Sequence, residues 1–94
     1  MLTKVPVITK KGREKLGKVL KFHREALALS MYKFVIEIEK TTGRSVSKAA
    51  ISDLERGNTE PKWDTLAILA ASGFFPYTVE ELFAIATEKL EIDF

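Results

Sequence analysis

Apolar side chains recur along this chain at helical rather than strand spacing. From about Lys11 to Leu27, Leu16, Leu20 and Leu27 fall near the i, i+4, i+11 stripe of one face, while Lys11, Lys15 and Lys18 repeat at i, i+4, i+7 on another side. This predicts a helix with an apolar face and a basic face. Ser30, a good N-cap, precedes a second run in which Met31, Phe34, Val35 and Ile38 share a face, and Thr41, Thr42 and Gly43 break it. Ser47 then opens a short helix with Ala50, Ile51 and Leu54 inward, stopped at Gly57. Pro61 suits the first turn of a fourth helix, in which Trp63, Leu66, Leu69 and Ala70 follow i, i+3, i+6, i+7 and Gly73 is the stop. Thr78 and Glu81 have capping-box spacing ahead of Leu82, Phe83 and Ile85, in a fifth helix running to about Lys89. The first ten residues, with Pro6 among Val5, Val7 and Ile8, lack helical spacing and read as an arm. The expectation is an all-α bundle of about five helices, with an N-terminal arm over residues 1–10 and a single domain over 11–94.

Length and composition agree with one globular domain. The chain has 94 residues, 46% hydrophobic and 30% charged, enough for one core but too little to line a deep cleft as well, which favours a binding module over an enzyme. It has no Cys, so disulfides, thiolate metal sites and thiol nucleophiles are excluded, and a cytoplasmic location is expected. No apolar run is long enough for a membrane span, and the start lacks the apolar stretch of a signal peptide.

The formal net charge of +2 conceals an asymmetry. Residues 1–24 carry Lys4, Lys10, Lys11, Arg13, Lys15, Lys18, Lys21 and Arg24 against Glu14 alone, whereas acidic side chains outnumber basic ones in the remainder. A basic segment beside a mildly acidic body draws a polyanion to one place. His23, the single histidine, falls within the apolar stripe of the first helix and reads as a partly buried side chain without chemistry, because no second His accompanies it. Glu37 with Glu39, and Glu80 with Glu81, are one or two positions apart and point to different sides of their helices, so they assemble no acid–base pair. No metal, cofactor or small-molecule ligand is expected.

A helix, a turn and a short second helix with small residues at its start are the parts of a helix-turn-helix. Residues 16–70 resemble the Cro-type phage-repressor family, also called the XRE family. The resemblance rests on Leu16-Gly17 and Arg24, on Leu29-Ser30, on the turn at Val46-Ser47, and on Ile51-Ser52 with Leu54-Glu55-Arg56-Gly57. Pro61, Thr65-Leu66 and Leu69-Ala70 continue it without a gap from Val46. It covers a little over half the chain, and Glu-Arg-Gly with Pro four positions beyond the Gly is its most diagnostic part.

The resemblance implies a lambda-repressor-like fold with its third helix in the major groove of double-stranded DNA. Lys48, Ala49, Ser52 and Asp53 would then face the bases. Lys48 can donate to guanine or phosphate, Ser52 can bond base edge or backbone, and Ala49 can meet a thymine methyl. Asp53 is repelled by phosphate unless it accepts from a cytosine amino group or pairs with a neighbouring Arg. Lys10, Lys11, Arg13, Lys15, Lys18, Ser30, Arg44 and Ser47 are the expected phosphate contacts, and Arg24 with Glu55 the expected ion pair between first and third helices. Two features depart from the family. Met31 stands where Gln is usual, and the stretch from Ser30 to Val46 is about six residues longer than usual; the extra residues are assigned to a lengthened second helix and to Thr41–Ser45.

So few base contacts imply a homodimer on a two-fold operator. Phe74, Phe75, Tyr77, Phe83, Ile92 and Phe94 are the candidate interface, unless they pack within their own chain. The functional expectation is a sequence-specific DNA-binding regulator, a repressor by operator occupancy. The competing one is an interaction module, antitoxin-like or otherwise partner-binding, that keeps the scaffold and turns this face toward a protein.

Overall fold

Four hydroxyl side chains start four of the five helices. In the computed structural model, which describes residues 7–92, Thr9 accepts from the Gly12 amide at the head of α1 (Lys10–Ala26). Ser30 accepts from Lys33 at the head of α2 (Met31–Thr42), and Ser47 from Ala50 at the head of α3 (Lys48–Arg56). Thr78 and Glu81 form the full capping box at the head of α5 (Val79–Ala86). Each cap satisfies an amide with no partner inside its own helix. The helix α4 (Trp63–Ala71) has no such cap. Its N-cap is Lys62 in an extended conformation, so Pro61 lies ahead of the helix rather than in its first turn as expected, and it is buried there. Gly43 and Gly57 stop α2 and α3 at φ of 73° and 69°, a left-handed conformation that glycine adopts without the Cβ penalty.

Among the described residues the architecture is an all-α bundle of five helices with one core. Leu16, Val19 and Leu20 of α1 meet Phe34 and Ile38 of α2, Ile51 and Leu54 of α3, Leu66 and Leu69 of α4, and Leu82 and Ile85 of α5, with Val46 and Phe75 contributed by loops. The start of α1 is fastened to the end of α5. The Thr9 hydroxyl donates to Glu88 at 2.7 Å, its amide to the Ala86 carbonyl at 3.2 Å, and Gly12 lies so close to that carbonyl that a side chain would collide with it.

Several boundaries differ from the sequence expectation. Lys10 is already helical and Thr9 is its cap, so the described part of the arm is only residues 7–9; residues 1–6, including Lys4, lie outside the described residues. Leu27 is 41% exposed, because α1 ends at Ala26 and Ala28 turns to a φ of 56°, which takes the chain off the apolar stripe. Trp63 is 48% exposed at the first position of α4, touching Phe83 edge-on at 5.5 Å. The helix α5 ends at Ala86, three residues before Lys89, since Glu88 takes a φ of 61° and the Lys89 and Leu90 amides both return to the Ala84 carbonyl. The proposed dimer face is largely internal. Phe75 is buried, and Phe74, Tyr77, Phe83 and Ile92 pack against the core; Phe94 lies outside the described residues.

Candidate nucleic-acid interface

The tilt of α3 is set by its contacts with α1. Arg24 Nε and Nη2 donate to the two Glu55 carboxylate oxygens at 2.7 and 2.9 Å, and Nη1 donates to the Leu29 carbonyl at 3.2 Å. One guanidinium therefore ties together α1, the link into α2, and α3. Both side chains are largely shielded, 13% and 6% exposed, and the Glu55 hydrogen bond raises the Arg24 pKa against the opposing effect of burial. Beside this pair α1 carries Gly17 against the Leu54 and Glu55 carbonyls, and Gly57 lies against Glu14. These contacts all fall on the last turn of α3 and its cap. Lys48 is at the other end, about 12 Å along the axis at 1.5 Å per residue.

That free end carries the expected reading residues. Lys48 and Ala49 are exposed, while Ser52 and Asp53 are partly covered. The Ser47 hydroxyl caps α3 and the Ser30 hydroxyl caps α2, each using a lone pair and leaving its O–H free to donate to an anion. Amide-rich helix starts with exposed hydroxyls suit phosphate oxygens. Between them α2 ends in a tight knot: the Thr42 hydroxyl donates to the Ile38 carbonyl at 2.8 Å and accepts from the Arg44 amide at 3.1 Å. Arg44 is exposed beyond it. A cleft of about 290 Å³ is bounded by Thr42 and Arg44 on one side and by Asp64, Ala67, Ile68 and Ala71 of α4 on the other.

Sequence reasoning missed the role of Arg56. Its Nη2 donates to the Ser52 hydroxyl at 2.7 Å and lies 3.7 Å from the Asp53 carboxylate. It is the neighbouring arginine that Asp53 needs beside a polyanion, and the signal was the i+3 and i+4 spacing from Asp53 and Ser52. Asp53 also borders a groove of about 230 Å³ with Ala50, Leu54, Thr59, Glu60, Lys62 and Thr65. Lys62 supplies a second cation there that the sequence reading passed over.

The basic side chains of α1 divide into two rows. At 100° per residue, Lys10 and Arg13 lie within roughly 40° of both Gly17 and Arg24, and Lys21 within roughly 60°, on the flank that meets α3. Lys21 was not among the expected contacts, although it is one turn beyond Gly17. Arg13 has a buried Nε with no hydrogen-bond partner. Lys11, Lys15 and Lys18 are turned roughly 100–160° away from Gly17, and Lys15 pairs with Glu91 at 3.4 Å. The structure thus separates these three from Lys10 and Arg13, with which the sequence reading had grouped them.

His23 sits edge-on among Phe22, Phe75 and Tyr77 at centroid distances of 5.2, 6.0 and 5.6 Å, and burial lowers its pKa. Among the described residues no group of His, Cys, Asp and Glu side chains could hold a metal ion, and no helix is long and apolar enough to cross a membrane. No family model, curated protein or solved structure matches this chain.

Proposed function

We propose that this chain is a sequence-specific, DNA-binding transcriptional regulator of the Cro-type helix-turn-helix kind, which places the outer edge of α3 in the major groove. The observation that carries the reading is the Arg24–Glu55 pair. A two-pronged ion pair between α1 and the last turn of α3 fixes the angle of that helix while leaving Lys48 and Ala49 at its exposed start. Lys48, Ala49, Ser52 and Asp53 read base edges in this account; Ser30, Ser47, Arg44, Lys10 and Arg13 hold phosphates. Repression follows from occupying an operator in the cytoplasm, as a homodimer, since one short helix makes few base contacts and each good one discriminates by about 1–3 kcal/mol. No enzymatic activity, cofactor or small-molecule ligand enters the proposal.

One observation favours a second reading, a protein-binding module on the same scaffold: Asp53 and Glu60 border the groove beside α3, where a carboxylate repels phosphate. Gel retardation at low salt separates the two. The first reading expects wild-type protein to retard a duplex carrying its site and Lys48→Ala to weaken that retardation. No retardation by wild type, or none lost in Lys48→Ala, favours the second.

A further inference from the structure

The row Lys11, Lys15 and Lys18 has no task in the account above. It lies on the outer side of α1, turned away from the buried Leu16 and Leu20, and at its edge Lys15 reaches Glu91 in the segment after α5. Lys11 and Lys18 are exposed and make no ion pair among the described residues. Like charges one turn apart on a helix repel one another, and of the three only Lys15 has an ion-pair partner among the described residues, so an anion laid along the row would relieve that repulsion.

We propose that this row is a second phosphodiester-backbone site, separate from the α3 edge, so that one molecule holds two nucleic-acid segments at once. Charge complementarity selects the occupant. Lysines are point charges on flexible stems, suited to a repeating charge and lacking the fork that would select a particular carboxylate. A membrane surface is less well matched, because the apolar face of α1 that would insert is spent on the core through Leu16, Val19 and Leu20. The sites differ in what they read. The α3 edge offers hydroxyl, amide and guanidinium donors of mixed geometry, whereas the lysine row offers charge alone and is indifferent to sequence. The inference rests on the DNA reading only for the first segment; the lysine row would bind phosphates even if α3 read nothing.

The test mixes full-length protein with two short random-sequence duplexes, one donor-labelled and one acceptor-labelled, and records energy transfer at low salt beside retardation of either duplex alone. Wild type is expected to bring the labels together. Lys11→Gln/Lys18→Gln is expected to lose that transfer, to lower the salt slope of retardation by about 1.8 at 0.9 per cation, and to keep any base preference. Transfer that survives in the double variant overturns the proposal, as does wild-type protein that never joins two duplexes. Row-dependent binding to vesicles of anionic lipid without duplex joining also overturns it. Retardation without base preference, but lost with the row, sinks the transcriptional reading and leaves this inference standing.

Discussion

Arg24 and Glu55 meet through two parallel hydrogen bonds of 2.7 and 2.9 Å, thirty-one positions apart in the chain. Their geometry is the forked pairing in which both guanidinium donors and both carboxylate oxygens are used, which holds an angle as well as a distance. Truncating one partner strands the other charge in a place water barely reaches. Arg24→Ala is expected to destabilise the fold by about 3 kcal/mol, whereas Arg24→Met/Glu55→Leu, which removes both charges and keeps the volume, should recover most of that loss. Urea unfolding of the three proteins measures both. Retardation should separate the roles further: the double variant keeps its fold yet reads a duplex less selectively, because α3 loses its fixed angle.

Glycine substitutions should rank by what surrounds them. A methyl at Gly17 runs into the Leu54 and Glu55 carbonyls, and helix backbones cannot retreat as a flexible side chain does. Gly17→Ala should therefore destabilise by about 1–3 kcal/mol despite the better helix propensity of Ala. Gly43 has nothing within contact range but a φ of 73°, so Gly43→Ala should lose only the left-handed penalty, about 1 kcal/mol. Thermal denaturation of the two variants checks the order.

The groove edge of α3 should depend on Arg56 more than its exposure suggests. In wild type its guanidinium shields Asp53 and occupies Ser52. Arg56→Ala removes a cation and unmasks a carboxylate, so duplex affinity should fall and the salt slope should shrink by about 0.9. Adding Asp53→Asn to that variant should restore part of the affinity. Titrations at several salt concentrations decide it; affinity that does not change on adding Asp53→Asn would show that Asp53 does not face the phosphates.

Acid should weaken the fold through His23. Burial lowers its folded pKa beneath the ordinary 6.5, so the unfolded chain binds the extra proton first. Stability is then fully present above about pH 6.5, falls as pH drops below that value, and levels off once pH passes the folded pKa. His23→Gln should flatten this part of the profile, read as denaturant midpoint against pH.

The helices were legible because each carries its own punctuation. Ser30, Ser47, Thr78 with Glu81, Gly43 and Gly57 mark ends that apolar spacing fills between, and the ends of α2 and α3 fall where these residues place them. The errors arise where tertiary contacts override local signals. Pro61 is buried ahead of α4, and α5 stops early as Glu88 turns to meet Thr9. The apolar C-terminal residues suggested an interface only because sequence could not show how much of Phe74, Phe75 and Tyr77 one core would absorb. Within the candidate interface the Arg24–Glu55 pair was readable from the resemblance and the Lys11, Lys15, Lys18 row from its spacing, but which basic side chains lie on the flank of α1 that meets α3 was not. Arg56 was visible in its spacing from Ser52 and Asp53, but the sequence pattern marks it only as part of the Glu-Arg-Gly resemblance.

The most direct measurement is selection of bound sequences from a pool of random duplexes by wild-type protein and by Lys48→Ala. An α3 that reads base edges enriches a two-fold symmetric consensus, and the Lys48→Ala pool relaxes at the base pairs Lys48 contacts while phosphate binding persists. Recovery of the starting pool unchanged by wild type, under salt conditions in which it still retards duplexes, would contradict the account.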